Sequence, residues 1–123
     1  MLLKKYLPVF AVVAGLLAAA VFFYGRPQEA AGNYDDFASC LGSSGAVMYG
    51  ADWCPHCQNE KNAFGDSFKF VNYVECPRDP ERCIAEGIKG YPTWVFPDGR
   101  RFEGEMGLEK LSEESGCLLE NKK

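Results

Sequence analysis

Four residues in the middle of the sequence, Cys54-Pro55-His56-Cys57, have types and spacing suited to thiol–disulfide chemistry. Cysteines at i and i+3 in a first helical turn come close enough to bridge in a small ring. At such a helix start the first sulfur faces unpaired backbone N–H groups and the positive end of the helix dipole. Both favour the thiolate, which is the reactive form. His56 adds a second lever, because an imidazolium beside the sulfur stabilises the thiolate further. A reduced form stabilised in this way makes the disulfide a stronger oxidant. Pro55 lacks an N–H and suits an early helical position. Zinc fits less well: zinc ribbons repeat their tight pair, whereas Cys76 and Cys83 have six residues between them. His56 is the sole histidine, which excludes catalytic arrangements built from several. No metal and no cofactor is expected.

Six cysteines in 123 residues is a high count and points to an oxidising compartment. The four outside the motif allow three pairings. The expected one is Cys40–Cys117 with Cys76–Cys83, the latter two flanking the turn Pro77-Arg78-Asp79-Pro80. Structural bridges matter for a domain of under about 100 residues with a modest core. The rival role for Cys76–Cys83 is a second redox pair relaying electrons to Cys54–Cys57.

An exported location also follows from the N-terminus. Tyr6 to Gly25 is a run of 20 residues without a charge, bracketed by Lys4 and Lys5 before it and Arg26 after it. At about 1.5 Å per helical residue this run crosses a bilayer core. Tyr6, Phe22, Phe23 and Tyr24 sit at its ends, where aromatic residues favour the interface. The charge bias keeps the N-terminus in the cytoplasm and exports the rest. A cleavable signal peptide, with Ala18-Ala19-Ala20 as cleavage site, is the competing reading; its apolar region is usually about 7–15 residues. The expected organisation is an anchor or signal segment at 1–26, a linker at 27–33 and one domain at 34–123. The first 26 residues hold three of the 13 basic residues and none of the 17 acidic ones, so the remainder carries −7. Such a surface gives no support to nucleic-acid binding.

The elements that must position the cysteines are short. Asn33 is a candidate N-cap for a helix through about Leu41, ended by Gly42 to Gly45. Ala46 to Tyr49 reads as a buried strand, and a helix runs from the cysteine motif to about Phe64. Phe68 to Val74 alternates and reads as a strand. Pro80 to Glu86 is a helix closed by Gly87. Thr93–Phe96 and Arg100–Glu103 flank Pro97-Asp98-Gly99, a hairpin turn. A last helix spans Leu108 to Cys117. This order predicts an α/β domain with a four-stranded mixed sheet flanked by helices.

With these elements in place, Trp53-Cys54-Pro55-His56-Cys57 after a short strand, and Gly90-Tyr91-Pro92-Thr93 before a hairpin, resemble the thioredoxin superfamily. The Cys-Pro-His-Cys choice is shared with DsbA-type disulfide oxidants. The wider pattern is similar to the thioredoxin-like domain fused to, or paired with, bacterial vitamin K epoxide reductase homologues. The similar stretches are 48–51, 53–58, 73–76, 87–94 and 103–104. The resemblance covers about residues 34–118. It implies a thioredoxin-like fold, a redox pair at Cys54 and Cys57, and a cis-proline at Pro92 against that pair. It further implies substrate-contact positions at Trp53, Tyr91 and Thr93. The partners implied are reduced exported proteins and a membrane quinone-linked oxidase of the vitamin K epoxide reductase type. A membrane-fed reductase or isomerase, or a structural domain, are the alternatives. One departure stands out: thioredoxins commonly place a buried acid six residues before the first cysteine, where this chain has Met48. Proton handling would then fall to water or His56. Asp52 reads as a solvated loop charge.

Overall fold

The computed structural model describes residues 2–24 and 33–120. They fall into two units, which are taken separately. The linker expected at 27–33 lies, apart from Asn33, outside the described residues.

The first unit is a single helix, α1 (Leu2–Tyr24). Its Leu3–Phe22 stretch has a mean hydropathy of 2.0 and is long and apolar enough to cross a membrane. Pro8 lies inside it. The helical backbone bonded within itself is what a bilayer core demands, and a proline near one end is tolerated there.

The second unit is an α/β body. It runs α2 (Asp35–Ser44), β1 (Val47–Gly50), α3 (Pro55–Phe64), β2 (Asn72–Glu75), α4 (Pro80–Ala85), β3 (Thr93–Val95), β4 (Arg101–Glu103) and α5 (Gly107–Ser115). The strands form one mixed sheet in the order β2-β1-β3-β4. β2 pairs parallel to β1, with Tyr49 opposite Val74, while β3 pairs antiparallel to β1, with Met48 opposite Trp94. β4 returns antiparallel on β3. The architecture is thioredoxin-like, as the element order predicts.

Alternation along the strands sorts the core into two layers. Met48 and Trp94 enter the face covered by α2, α3 and α5, among Phe37, Leu41, Phe64 and Leu111. Tyr49 enters the opposite face with Val74, Cys76 and Cys83 of α4. Each fully buried side chain of this size contributes about 1.5–3 kcal/mol. Across the first layer, Glu60 is 2% exposed and accepts the Met106 N–H at 2.8 Å and the Gly107 N–H at 3.1 Å. A carboxylate on α3 thereby holds the start of α5, and its burial raises its pKa while those two bonds oppose the rise.

Four expectations need correction. The predicted strand 68–74 is a 3-10 helix, Gly65–Phe70, followed by the shorter β2. Gly65 turns the chain with φ of 58°, and the Phe68 ring packs edge-on against Phe64 and Tyr73. Aromatic packing thus overrides the period-2 pattern. The predicted helix 33–41 is shifted to 35–44, with Gly42 inside it; Asn33 stands before it and accepts the Asp35 N–H. Gly45, at φ of 92°, ends it. Gly42 lies inside the helix, with the Phe70 carbonyl oxygen occupying the place its Cβ would take. The last helix ends at Ser115 on Gly116, so Cys117 follows the helix rather than closing it, and Cys40 lies within α2 rather than at its end.

Candidate active site

β1 delivers the chain to the site through Gly50, and a turn at Ala51–Trp53 leads into α3. Cys54 is the N-cap residue, with extended backbone, and Pro55 follows it in the first turn. The Cys54 N–H donates to the Ala51 carbonyl at 3.0 Å, and the Cys54 carbonyl accepts the Gln58 N–H. Gln58 in turn donates its side-chain amide to the Asp52 carbonyl at 2.8 Å, bracing the turn. Cys54 and Cys57 both carry free thiols. Both are buried, Cys57 completely and Cys54 to all but 7% of its surface, so Cys54 is the more accessible of the two.

The segment before β3 closes over the first sulfur. Tyr91–Pro92 is a cis peptide, and the Cys54 thiol donates to the Tyr91 carbonyl at 3.7 Å. Trp53 is 67% exposed and meets the Tyr91 ring edge-on at 6.0 Å. Thr93 is buried in β3, where its hydroxyl donates to the Gly90 carbonyl at 2.8 Å. Its side chain shapes the cis-proline loop rather than facing outward.

His56 projects to the surface, and its Nδ1 lies 2.6 Å from Glu105 Oε1. Glu105 also accepts from the Asn59 side-chain amide at 3.0 Å. The Asn59 hydrogen bond and then the His56 contact hold Glu105 below the usual carboxylate range. Thus the histidine of the motif has a fixed acidic neighbour from the β4–α5 connection.

A second group of charges gathers on the Cys57 side. Asp52 is exposed, as expected, but not free: it accepts from Lys61 Nζ at 2.9 Å and lies 3.5 Å from Arg78. The Lys61 hydrogen bond lowers its pKa. The same Lys61 lies 3.9 Å from the centre of the Tyr73 ring. Tyr73 Oη donates to Glu75 Oε2 at 2.5 Å, and Glu75 Oε1 accepts the Asp52 N–H at 2.9 Å. Burial pushes the Cys57 thiol up to about 11, with a hydrogen bond to the Ala51 backbone acting the other way. Burial, reinforced by Glu75, also raises the Tyr73 phenol.

Lys61 and Glu105 are not singled out by sequence pattern, and Gly50, Tyr73 and Glu75 lie in stretches that carry the resemblance without being given a role at the site. Only Gly50 has a local signal, a glycine directly before the motif turn. A Cβ there would stand 2.8 Å from Cys57 Sγ, so the second sulfur occupies the space a side chain would take. The remaining cysteines form Cys40–Cys117 and Cys76–Cys83 disulfides. Cys76 and Cys83 are thus bonded to each other and buried. Met48 lies in the apolar core.

A redox-type cysteine pair at a strand–helix joint, a cis-proline loop over its first sulfur and this sheet order define a thioredoxin-like domain. The sequence comparisons agree with that class. The chain is 40% identical over 92 residues to the thiol-disulfide oxidoreductase LTO1 of Arabidopsis thaliana, covering 68% of this chain and 24% of that protein. It is 27% identical over 126 residues to the protein disulfide-isomerase erp38 of Neurospora crassa, covering 91% of this chain and 33% of that protein. It is 29% identical over 102 residues to a thioredoxin domain-containing protein 5 homolog of Drosophila melanogaster, covering 69% of this chain and 24% of that protein. The chain therefore spans between a quarter and a third of the length of these relatives. No protein-family model matches it.

Proposed function

We propose that this chain is a membrane-tethered thiol–disulfide oxidoreductase that donates disulfides to exported proteins. The observation that carries the reading is the asymmetric pair: Cys54, slightly exposed and bonded to the Tyr91 carbonyl, and Cys57, completely buried one turn on. In the oxidised enzyme a substrate thiolate attacks Cys54 and Cys57 leaves as the second sulfur. The substrate segment lies along the Tyr91–Pro92 backbone, with Trp53 and Tyr91 as its apolar contacts and Thr93 holding the loop. A second substrate thiol then attacks the mixed disulfide, releasing oxidised substrate and reduced Cys54 and Cys57. Pro55 starts α3, and His56 is held by Glu105 at the surface beside the pair. The Cys40–Cys117 and Cys76–Cys83 bridges serve as structural staples.

In this proposal residues 1–26 anchor the chain with its N-terminus in the cytoplasm, 27–33 link, and 34–123 work outside. A membrane quinone-linked oxidase of the vitamin K epoxide reductase type reoxidises the pair. Tethering both to one membrane raises their effective concentration. The test is capture in cells with a Cys57→Ser variant. A mixed disulfide through Cys54 with exported proteins and a membrane oxidase is expected; no captured species would sink the reading. The likeness to the Neurospora protein disulfide-isomerase favours a second reading, isomerisation of misformed bridges. A reduction potential near that of thioredoxin, about −270 mV, would sink disulfide donation.

A further inference from the structure

Cys57 presents a problem of proton balance. It is fully buried, and at neutral pH its thiol is held protonated. To attack a mixed disulfide on Cys54 it must lose that proton; to leave the Cys54–Cys57 bond it must regain one. Met48, where an acid is expected, is apolar and in the core. His56 is turned to the surface and engaged with Glu105.

We infer that Tyr73 and Glu75 on β2 form the proton path of Cys57, with Lys61 and Asp52 fixing it in place. Cys57 Sγ lies 2.8 Å, and the Tyr73 hydroxyl 3.4 Å, from one and the same point, the site of a Cβ on Gly50. The glycine leaves open the gap between thiol and phenol, which a direct contact or one bridging water spans. From the phenol the path continues to the Glu75 carboxylate. Glu75 is fixed on its other oxygen by the Asp52 N–H, and Lys61 is held over the phenol ring by Asp52.

In the step, the Cys57 S–H bond breaks as a proton reaches Tyr73 Oη. The phenol's own proton passes to Glu75 Oε2, so Tyr73 stays neutral. The Cys57 thiolate then attacks the Cys54 sulfur, forms the Cys54–Cys57 bond and expels the partner thiolate. In the opposite direction the proton returns from Glu75 as Cys57 leaves. The path serves both directions of electron flow. The groups that act on Cys57 are the Ala51 backbone, Cys54 at the N-cap, Lys61 from α3 and Tyr73 from β2; Glu75 and Asp52 act on Tyr73, and Arg78 on Asp52. Cys57 is a catalytic residue here, whereas Glu75 acts through Tyr73.

This inference rests on the proposed exchange chemistry, and one experiment separates the two. The full chain in detergent, with only Cys54 and Cys57 reduced, is mixed with 5,5′-dithiobis(2-nitrobenzoate), and thionitrobenzoate release is followed by stopped flow from pH 6 to 10. The first equivalent reports attack by Cys54, the second attack by Cys57 on the mixed disulfide. Glu75→Gln and Tyr73→Phe are each expected to slow the second release about tenfold or more near pH 6–7. The deficit should shrink as pH rises and hydroxide takes over, with the first release unchanged. Tyr73→Phe keeps the ring on Lys61 and removes only the hydroxyl, which covers the case in which Glu75→Gln fails to fold. Second-release profiles that superimpose on wild type, or a deficit constant with pH, would overturn the path while leaving the exchange reading intact. A wild-type chain that releases one equivalent only would overturn both.

Discussion

At the scale of single residues, the pair of thiols is defined by an unequal environment. Reduced Cys57 titrates at about 11, well above an ordinary thiol, chiefly through burial. The sign of the consequence is fixed: the folded protein holds this proton more tightly than the unfolded chain does. Its contribution to stability is complete below about pH 8.5, the unfolded thiol value, and is lost as pH rises through the folded value. The form reduced at Cys54 and Cys57 should therefore lose urea resistance between pH 8.5 and 11. Cys57→Ala should remove that part of the loss, and equal slopes for the two proteins would contradict it. The motif itself is legible in the sequence because its chemistry is local: a three-residue step at a helix start needs no tertiary information. Glu75 and Glu105 are not legible. They come from a neighbouring strand and a distant connection, and packing alone brings Glu75, through Tyr73, toward Cys57 and Glu105 to His56.

At the scale of elements, periodicity predicts the number and order of strands and fails where side-chain packing outweighs it. Phe68 and Phe70 alternate as in a strand, yet the chain coils there because Phe68 joins the ring cluster of Phe64 and Tyr73. Gly42 shows the same limit. Read locally, it is a helix stop; in the fold it is the point where the 3-10 segment rests on α2. Alanine at this position gains about 1 kcal/mol of helix propensity. Against that, its Cβ would collide with the Phe70 carbonyl oxygen, and overpacking of this kind costs about 1–3 kcal/mol. Gly42→Ala is accordingly expected to lower stability in urea melts, whereas a net gain would mean that the two segments separate easily. Glu60 was equally hidden, a buried charge whose partners are two backbone N–H groups at the start of α5.

At the scale of the whole molecule, the α/β body relies on cross-links of very different reach. Cys40–Cys117 closes a separation of 77 residues, and Cys76–Cys83 one of seven. In the chain-entropy description the longer loop stabilises by about 2 kcal/mol more. Replacing Cys40 and Cys117 by alanine should thus depress the melting temperature more than replacing Cys76 and Cys83. The opposite order would show that local strain, not loop length, governs this domain. The long bridge has another consequence, for survival of proteolysis. The exposed Pro97-Asp98-Gly99 turn lies between its two ends, so a protease that nicks this turn cuts the backbone without parting the body. The fragments stay covalently joined, and the piece carrying α5 stays attached to the piece carrying α1. On a gel such a nick is silent until the sample is reduced.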